Sequence, residues 1–228
     1  MSLSLHLQQL THAWSGQSPL IQIEELKLQQ GEHLFIQGPS GCGKSTLLSL
    51  LAGVQPVQQG VCQVLGHDLA TLSPVARDQL RGERMGVIFQ QFNLLPFLDV
   101  QANTLLPTKL FPSRAQAATH SHGSPDQQAR ALAEGLGLPA SLWHQPVHQL
   151  SVGQQQRVAA VRALMGQPQL IIADEPTSAL DDANQGEFLK LLLGCADQQG
   201  ASVVMVSHNA RLADQFHQVY VWPTKDAA

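Results

Sequence analysis

The chain has 228 residues, with 13 Lys plus Arg against 17 Asp plus Glu and a formal net charge of -4. That length suits one large domain or two closely joined lobes around a substantial core, and the acidic balance offers no basic field for a nucleic-acid backbone. Cys42, Cys62 and Cys195 form no C-x-x-C pair and suit free thiols in a reducing cytoplasm; with no basic-then-apolar leader and no apolar run near the ~20 residues of a membrane span, a soluble chain is expected.

Leu3–Leu7 alternates as a half-buried strand should, and Ile21–Leu28 reads as a second strand closed by Gln30-Gly31. Between them lies the turn-rich piece 15–19, with Trp14 at its edge. Trp14 is either core in a small strand layer or a face on which a base can stack. His33–Gln37 is a short buried strand, and Leu47–Ala52 an apolar helix that stops at Gly53.

Between that strand and that helix runs Gly38-Pro39-Ser40-Gly41-Cys42-Gly43-Lys44-Ser45-Thr46, a match to G-x-x-x-x-G-K-[ST]. Its glycines let successive backbone N–H groups turn into one concavity, and the following helix adds its positive dipole end. Lys44 brings a mobile charge for the β- and γ-phosphates, and the Ser45 hydroxyl can ligate Mg²⁺.

Val61–Leu65 follows as a strand, then a turn at Gly66–Asp68 and a helix capped by Ser73 with Pro74 at its first position. Met85–Gln90 is expected to be a buried strand ending in a polar amide. From Phe92 to Gln149 the composition turns to Leu, Ala, Gln and Pro and reads mostly as helix, one of them from Ser124-Pro125-Asp126 to Gly135. The piece 113–123, with His120 and His122, is expected to be an exposed connector. Neither that histidine pair nor His144 and His148, which Pro146 separates, has the partners of a metal site. Helix returns at Val158–Met165, strand at Leu170–Asp174, helix at Gln185–Cys195, and strands at Ser202–Val206 and Val219–Val221. Strands alternating with helices argue for an open, mostly parallel α/β sheet covered on both faces, with the helical block inserted into it.

Asp174-Glu175 emerges from four apolar residues at the carboxyl end of a central strand, the edge where open α/β sheets bind ligands. Asp174 can hold Mg²⁺ and Glu175 can take a proton from an attacking water. His208 follows another central strand and would project at the same edge towards the γ-phosphate. Gln90 offers a neutral oxygen there for Mg²⁺ or water.

The order and spacing of these residues resemble the ATP-binding-cassette ATPases over essentially the whole chain. Leu150–Val158 looks like that family's signature motif, Leu170–Glu175 its Walker B segment with the catalytic glutamate, and Ser178–Asp181 its D-loop. Gln90 and His208 resemble its Q- and H-loops, and Trp14 falls at its adenine-stacking position. The resemblance implies a P-loop NTPase (RecA-like) fold: a core over 1–91 and 150–228 with a small antiparallel N-terminal β layer, and a helical subdomain over 92–149. It implies ATP and Mg²⁺ as ligands, with Ser45, Gln90 and Asp174 at the metal and Lys44, Gln90, Glu175 and His208 in the reaction. It also implies an ATP-dependent head-to-tail homodimer in which Ser151, Gly153, Gln154 and Asp181 of one copy reach the nucleotide of the other. The expected partners are separate integral-membrane permease subunits, which would hold the chain at the cytoplasmic side of the inner or plasma membrane.

Val152 stands where the signature usually has glycine. The run Gly86–Pro96 resembles the lipoprotein-release and macrolide-export branch, although Ala102 stands where an acidic residue is common there. Two other functions compete: a non-transport regulator of the cell-division type, and a soluble cassette of DNA repair or translation, which the charge and the single cassette disfavour.

Overall fold

The computed structural model describes residues 2–16 and 18–223, and every residue but 182 and 183 among them to its side chain. The chain runs β1 (Leu3–His12), β2 (Ile21–Gln29), β3 (His33–Gln37), α1 (Lys44–Leu51), β4 (Gln59–Val64), β5 (His67–Asp68), α2 (Pro74–Arg84) and β6 (Met85–Ile88). Three helices follow, α3 (Val100–Leu110), α4 (Pro112–His122) and α5 (Pro125–Gly135), then two short 3-10 turns. The rest is α6 (Val152–Leu164), β7 (Leu170–Asp174), α7 (Asp182–Gln198), β8 (Ser202–Ser207), a 3-10 segment (Ala210–Gln215) and β9 (Gln218–Val221).

Five strands form a sheet in the order β6-β7-β8-β3-β9, each pair parallel. Side chains alternate across a strand, and here both faces are apolar. Leu34, Ile36, Leu170, Ile172, Val204 and Val206 pack on one side with α1 and the antiparallel layer β2-β1-β4-β5. Phe35, Ile171, Ala173, Val203 and Met205 pack on the other with α5, α6 and α7. Burial on both faces explains why β3 and β7 read as unbroken apolar runs.

Besides His67–Asp68, which pairs with Gln63 and Val64 as β5 instead of completing a turn, two expectations fail. The piece 113–123 is helical as α4, closed by Gly123 at φ 80. Pro112 suits the first helical position, and Arg114 and Ala118, four apart, bury one face. Arg114 is 2% exposed and pairs with no carboxylate among the described residues; its guanidinium donates to the carbonyls of Met165, at 2.7 Å, and Met85. Burial pulls its pKa down to about 10, so it stays charged at neutral pH. The helix is thus fastened by a charged residue to the end of α6 and the start of β6. The second failure is the strand into Gln90. β6 stops at Ile88, its last partner being Ala173, and Phe89 is exposed. Gln90 lies in the turn closed by Phe92 N to Phe89 O at 2.9 Å. The turn expected over 15–19 includes Gln17, which lies outside the described residues.

At the amino edge of the sheet His33 is buried, with Nδ1 accepting from Val203 N at 3.2 Å and Nε2 facing Asp197 Oδ1 at 2.9 Å. The ring is therefore neutral with its proton on Nε2, and the His33 backbone N–H donates to His217 Nδ1 at 3.0 Å. Burial lowers the His33 pKa from 6.5, while Asp197 opposes that shift. Below pH 6.5 the unfolded chain then binds the proton before the folded one, so stability falls as pH drops through that window. The melting temperature is expected to fall as pH drops below 6.5. In His33→Asn, whose amide oxygen can replace Nδ1 as acceptor, calorimetry should find a shallower fall.

Candidate functional site

The loop after β3 turns through left-handed backbone at Gly41 and Gly43, with φ of 78 and 116. Only glycine adopts such values without strain. It is also held close from outside. A Cβ on Gly38 would lie 2.6 Å from Trp222 Cβ and 2.9 Å from Cys42 Sγ, and one on Gly43 3.0 Å from Leu20 Cγ and 3.2 Å from Trp222 Cζ2. Trp222, whose N–H donates to the Gln37 carbonyl at 2.7 Å, thus underlies both ends of the loop. Gly43 caps α1 with no side-chain hydrogen bond. The first N–H groups of α1 are therefore left for an anion. Lys44 is buried and donates through Nζ to the carbonyls of Gly38 at 2.7 Å and Pro39 at 2.8 Å.

Facing this loop, β7 delivers Asp174 and Glu175. Burial raises the Asp174 pKa first; the Ser45 hydroxyl lowers it, Glu175 raises it and Lys44 lowers it. Asp174 Oδ1 is buried and has no hydrogen-bond partner among the described residues. An orphaned carboxylate oxygen beside a serine hydroxyl fits a hard cation. Among the described residues no three His, Cys, Asp or Glu side chains gather as a metal cage, so such an ion would take its remaining oxygens from ligand and water. Glu175 sits at φ 47, a left-handed conformation that costs a non-glycine residue about 1–3 kcal/mol. Its N–H bonds to the Val206 carbonyl at 3.1 Å and its Oε2 to His208 Nδ1 at 2.9 Å. An ionised carboxylate only accepts, so Nδ1 carries the proton.

These groups meet in one cavity of about 400 Å³ at the carboxyl edge of the sheet. Ser40, Gly41, Gly43, Lys44, Ser45, Thr46, Gln90, Asp174, Glu175 and His208 line it, joined by Leu20 and Ser178. Gln90 reaches it from the turn rather than from a strand. Trp14, Ser151, Gly153, Gln154 and Asp181 are not on its wall. Trp14 is 43% exposed, which removes the core reading, and meets His12 edge-on at 5.3 Å. Ser151 caps α6: its Oγ accepts from Gln154 N at 3.3 Å, and Gln154 Oε1 accepts from Ser151 N at 2.9 Å. The Gln154 side chain is therefore engaged in the capping box. Asp181 caps α7 through Asn184 N at 2.9 Å.

Sequence reasoning missed two supports. Trp222 carries no local signal, because its contacts come from pairing β9 beside β3. Arg162 of α6 donates to the carbonyls of Phe92 at 2.6 Å and Asn93 at 2.7 Å. Both residues are left-handed, at φ 59 and 49, so Arg162 steadies the strained turn next to Gln90. An arginine in a helix with two arginines and three glutamines gives no hint of such a contact.

A parallel sheet with an anion loop, a cation-ready carboxylate and a strained glutamate at its carboxyl edge defines a P-loop nucleotide-binding cassette. The model of the ABC transporter family matches residues 21–178. YbbA of Escherichia coli strain K12, an uncharacterized ABC transporter ATP-binding protein, is 39% identical over 189 residues, which are 83% of this chain and 79% of YbbA. The lipoprotein-releasing system ATP-binding protein LolD of Hydrogenovibrio crunogenus is 34% identical over 89% of this chain and 85% of its own. The macrolide export ATP-binding/permease protein MacB of Marinobacter nauticus is 36% identical over 92% of this chain, which spans only 32% of that longer protein. The dimeric ATP-binding cassette MJ0796, solved in a post-hydrolysis state with ADP and Pi, superposes with a TM-score of 0.82 at 28% identity over 96% of this chain and 94% of its own. The chain belongs to the ABC transporter family, among its ATP-binding subunits, and that membership implies ATPase activity.

Gly38→Ala is expected to destabilise the protein by about 1–3 kcal/mol in denaturant titration, since its methyl would overlap Trp222 Cβ. Adding Cys42→Ala should not restore the loss, because the contact with Trp222 remains.

Proposed function

We propose that the chain is the ATP-hydrolysing motor of a membrane transport complex and works as a head-to-tail pair. One observation supports this most. Glu175, strained and joined to His208, borders the same cavity as Lys44, Ser45 and Asp174, while the signature cap at Ser151 lies off that cavity in its own chain. A second copy, turned end to end, would bring Ser151, Gly153, Gln154 and Asp181 onto the nucleotide. MJ0796, similar in fold, is a dimer in its post-hydrolysis state.

In this reading the Trp14 face stacks on the adenine and residues 38–46 cradle the phosphates. Lys44 exchanges its two loop carbonyls for β- and γ-phosphate oxygens. Ser45, Asp174 and Gln90 would hold Mg²⁺, which would supply positive charge against the phosphate oxygens. Glu175 accepts a proton from the water whose oxygen attacks the γ-phosphorus as the bond to the bridging oxygen breaks, giving ADP and phosphate. His208 Nδ1 donates to the Glu175 carboxylate, and Nε2 donates to the γ-phosphate when the ring carries its second proton. The γ-phosphate bridges the two copies where ADP cannot, so hydrolysis reopens the pair.

The likeness to LolD and MacB supports an export-type assignment: the pair would drive separate membrane subunits, from their cytoplasmic side, in moving or extracting a lipophilic substrate. Among the described residues no helix is long and apolar enough to cross a membrane, which agrees with a peripheral position on such subunits. Residues 92–149, next to Gln90, form the block that would dock them.

Lys44→Ala should lose ATP binding measured by titration calorimetry. Glu175→Gln should keep it while turnover falls by about 10²- to 10⁴-fold. Turnover by Glu175→Gln equal to the unchanged protein would remove Glu175 as the base. Copurification of a membrane protein, with ATPase stimulated by substrate in vesicles, would separate transport from signalling alone.

A further inference from the structure

The Gln185 side chain joins the segment that carries His208 to the turn that carries Asp181. Gln185, near the start of α7, is 8% exposed. It donates through Nε2 to the Leu180 carbonyl at 2.9 Å and accepts through Oε1 from Asn209 Nδ2 at 2.8 Å. Asn209 is fixed in turn, because its Oδ1 accepts from Arg211 N and its own N–H donates to Ser207 Oγ, both at 3.2 Å. On the other side, Leu180 reaches the signature helix. A Cβ on Gly153 would lie 3.3 Å from Leu180 Cδ2.

A continuous path therefore runs from Glu175 and His208 through Asn209, Gln185 and Leu180 to Gly153. We propose that Gln185 is a positioning residue that ties the chain's own phosphate cavity to the face around Leu180 and Gly153 that it offers to a second copy. The inference rests on the paired-site reading above. The chemistry of the amide is what the place demands. One end must accept from Asn209 while the other donates to a carbonyl; a carboxylate could only accept, and a hydrocarbon could do neither. Movement of His208 towards a γ-phosphate without movement of the turn at Leu180 would leave a nearly buried amide short of a partner. That penalty makes the two segments shift together.

The test uses the full chain carrying Glu175→Gln, so that bound ATP persists. Sedimentation measures pairing in Mg·ATP, and titration calorimetry with ATP at low protein concentration measures single-copy affinity. Gln185→Leu is expected to weaken ATP-driven pairing about tenfold while single-copy affinity stays within about twofold. Asn209→Ala should do the same, and the two changes together should weaken pairing no more than either alone. Pairing unaffected by both changes, or losses that add in the double variant, would overturn the proposal. If Gln185→Leu fails to fold, Asn209→Ala, on a less buried residue, decides alone. A Glu175→Gln protein that never pairs in Mg·ATP removes the paired-site reading and this inference with it. A parent that pairs, beside variants that pair equally well, removes the inference only.

Discussion

The site depends on the register of a parallel sheet. Gln37 at the end of β3 stands opposite Ser207 of β8 and Val221 of β9, and Asp174 at the end of β7 stands opposite Val206. Four strands therefore finish at nearly one level. The anion loop, the two carboxylates, His208 and Trp222 all leave the sheet there, within one or two residues of those pairs. A slip of one residue in any pair would exchange the side chains packed on the two faces and stagger the strand ends, so the separate packing of each face enforces the alignment that the chemistry needs.

Within that alignment the charges are arranged against one another. Lys44 is held by two carbonyls rather than by a carboxylate, which leaves its charge available to a phosphate. Asp174 has the opposite situation, a carboxylate pressed into the protein beside a second one, with an oxygen that no described residue satisfies. A buried group left in that condition destabilises the fold unless a ligand compensates. The left-handed Glu175 adds local strain of the kind that concentrates at functional sites. The extensive apolar packing of the sheet offsets both.

Much of this was legible from the chain alone, for reasons that differ by residue. β3 and β7 are buried on both faces, so each appears as a run of apolar residues with sharp ends, and the loop and carboxylates after them follow by position. Ser73 and Ser124 each stand before proline, and both cap helices. α4 was not legible, because its buried face consists of an arginine and an alanine in a stretch otherwise rich in serine and histidine. An arginine buried against bare carbonyls has no sequence signature. Phe89 extends the apolar run although it is exposed, so the sequence pattern carries the strand two residues past its end at Ile88, as far as Gln90. Trp14 could be placed in the chain but not in space, since its exposure depends on the path of β1 and β2. The Gln154 cap follows a visible Ser-x-x-Gln pattern.

The pairing of β3 with β8 and β9 has a consequence for the order of events during synthesis. The anion loop belongs to the first quarter of the chain, but the strands on either side of β3, and the indole beneath the loop, belong to residues 202–222. A nascent chain leaving the ribosome holds every residue of the phosphate cradle long before it can shape one. Nucleotide capture must therefore wait for the last strands, and ribosome-stalled fragments ending before Ser202 would carry the loop with neither of its flanking walls.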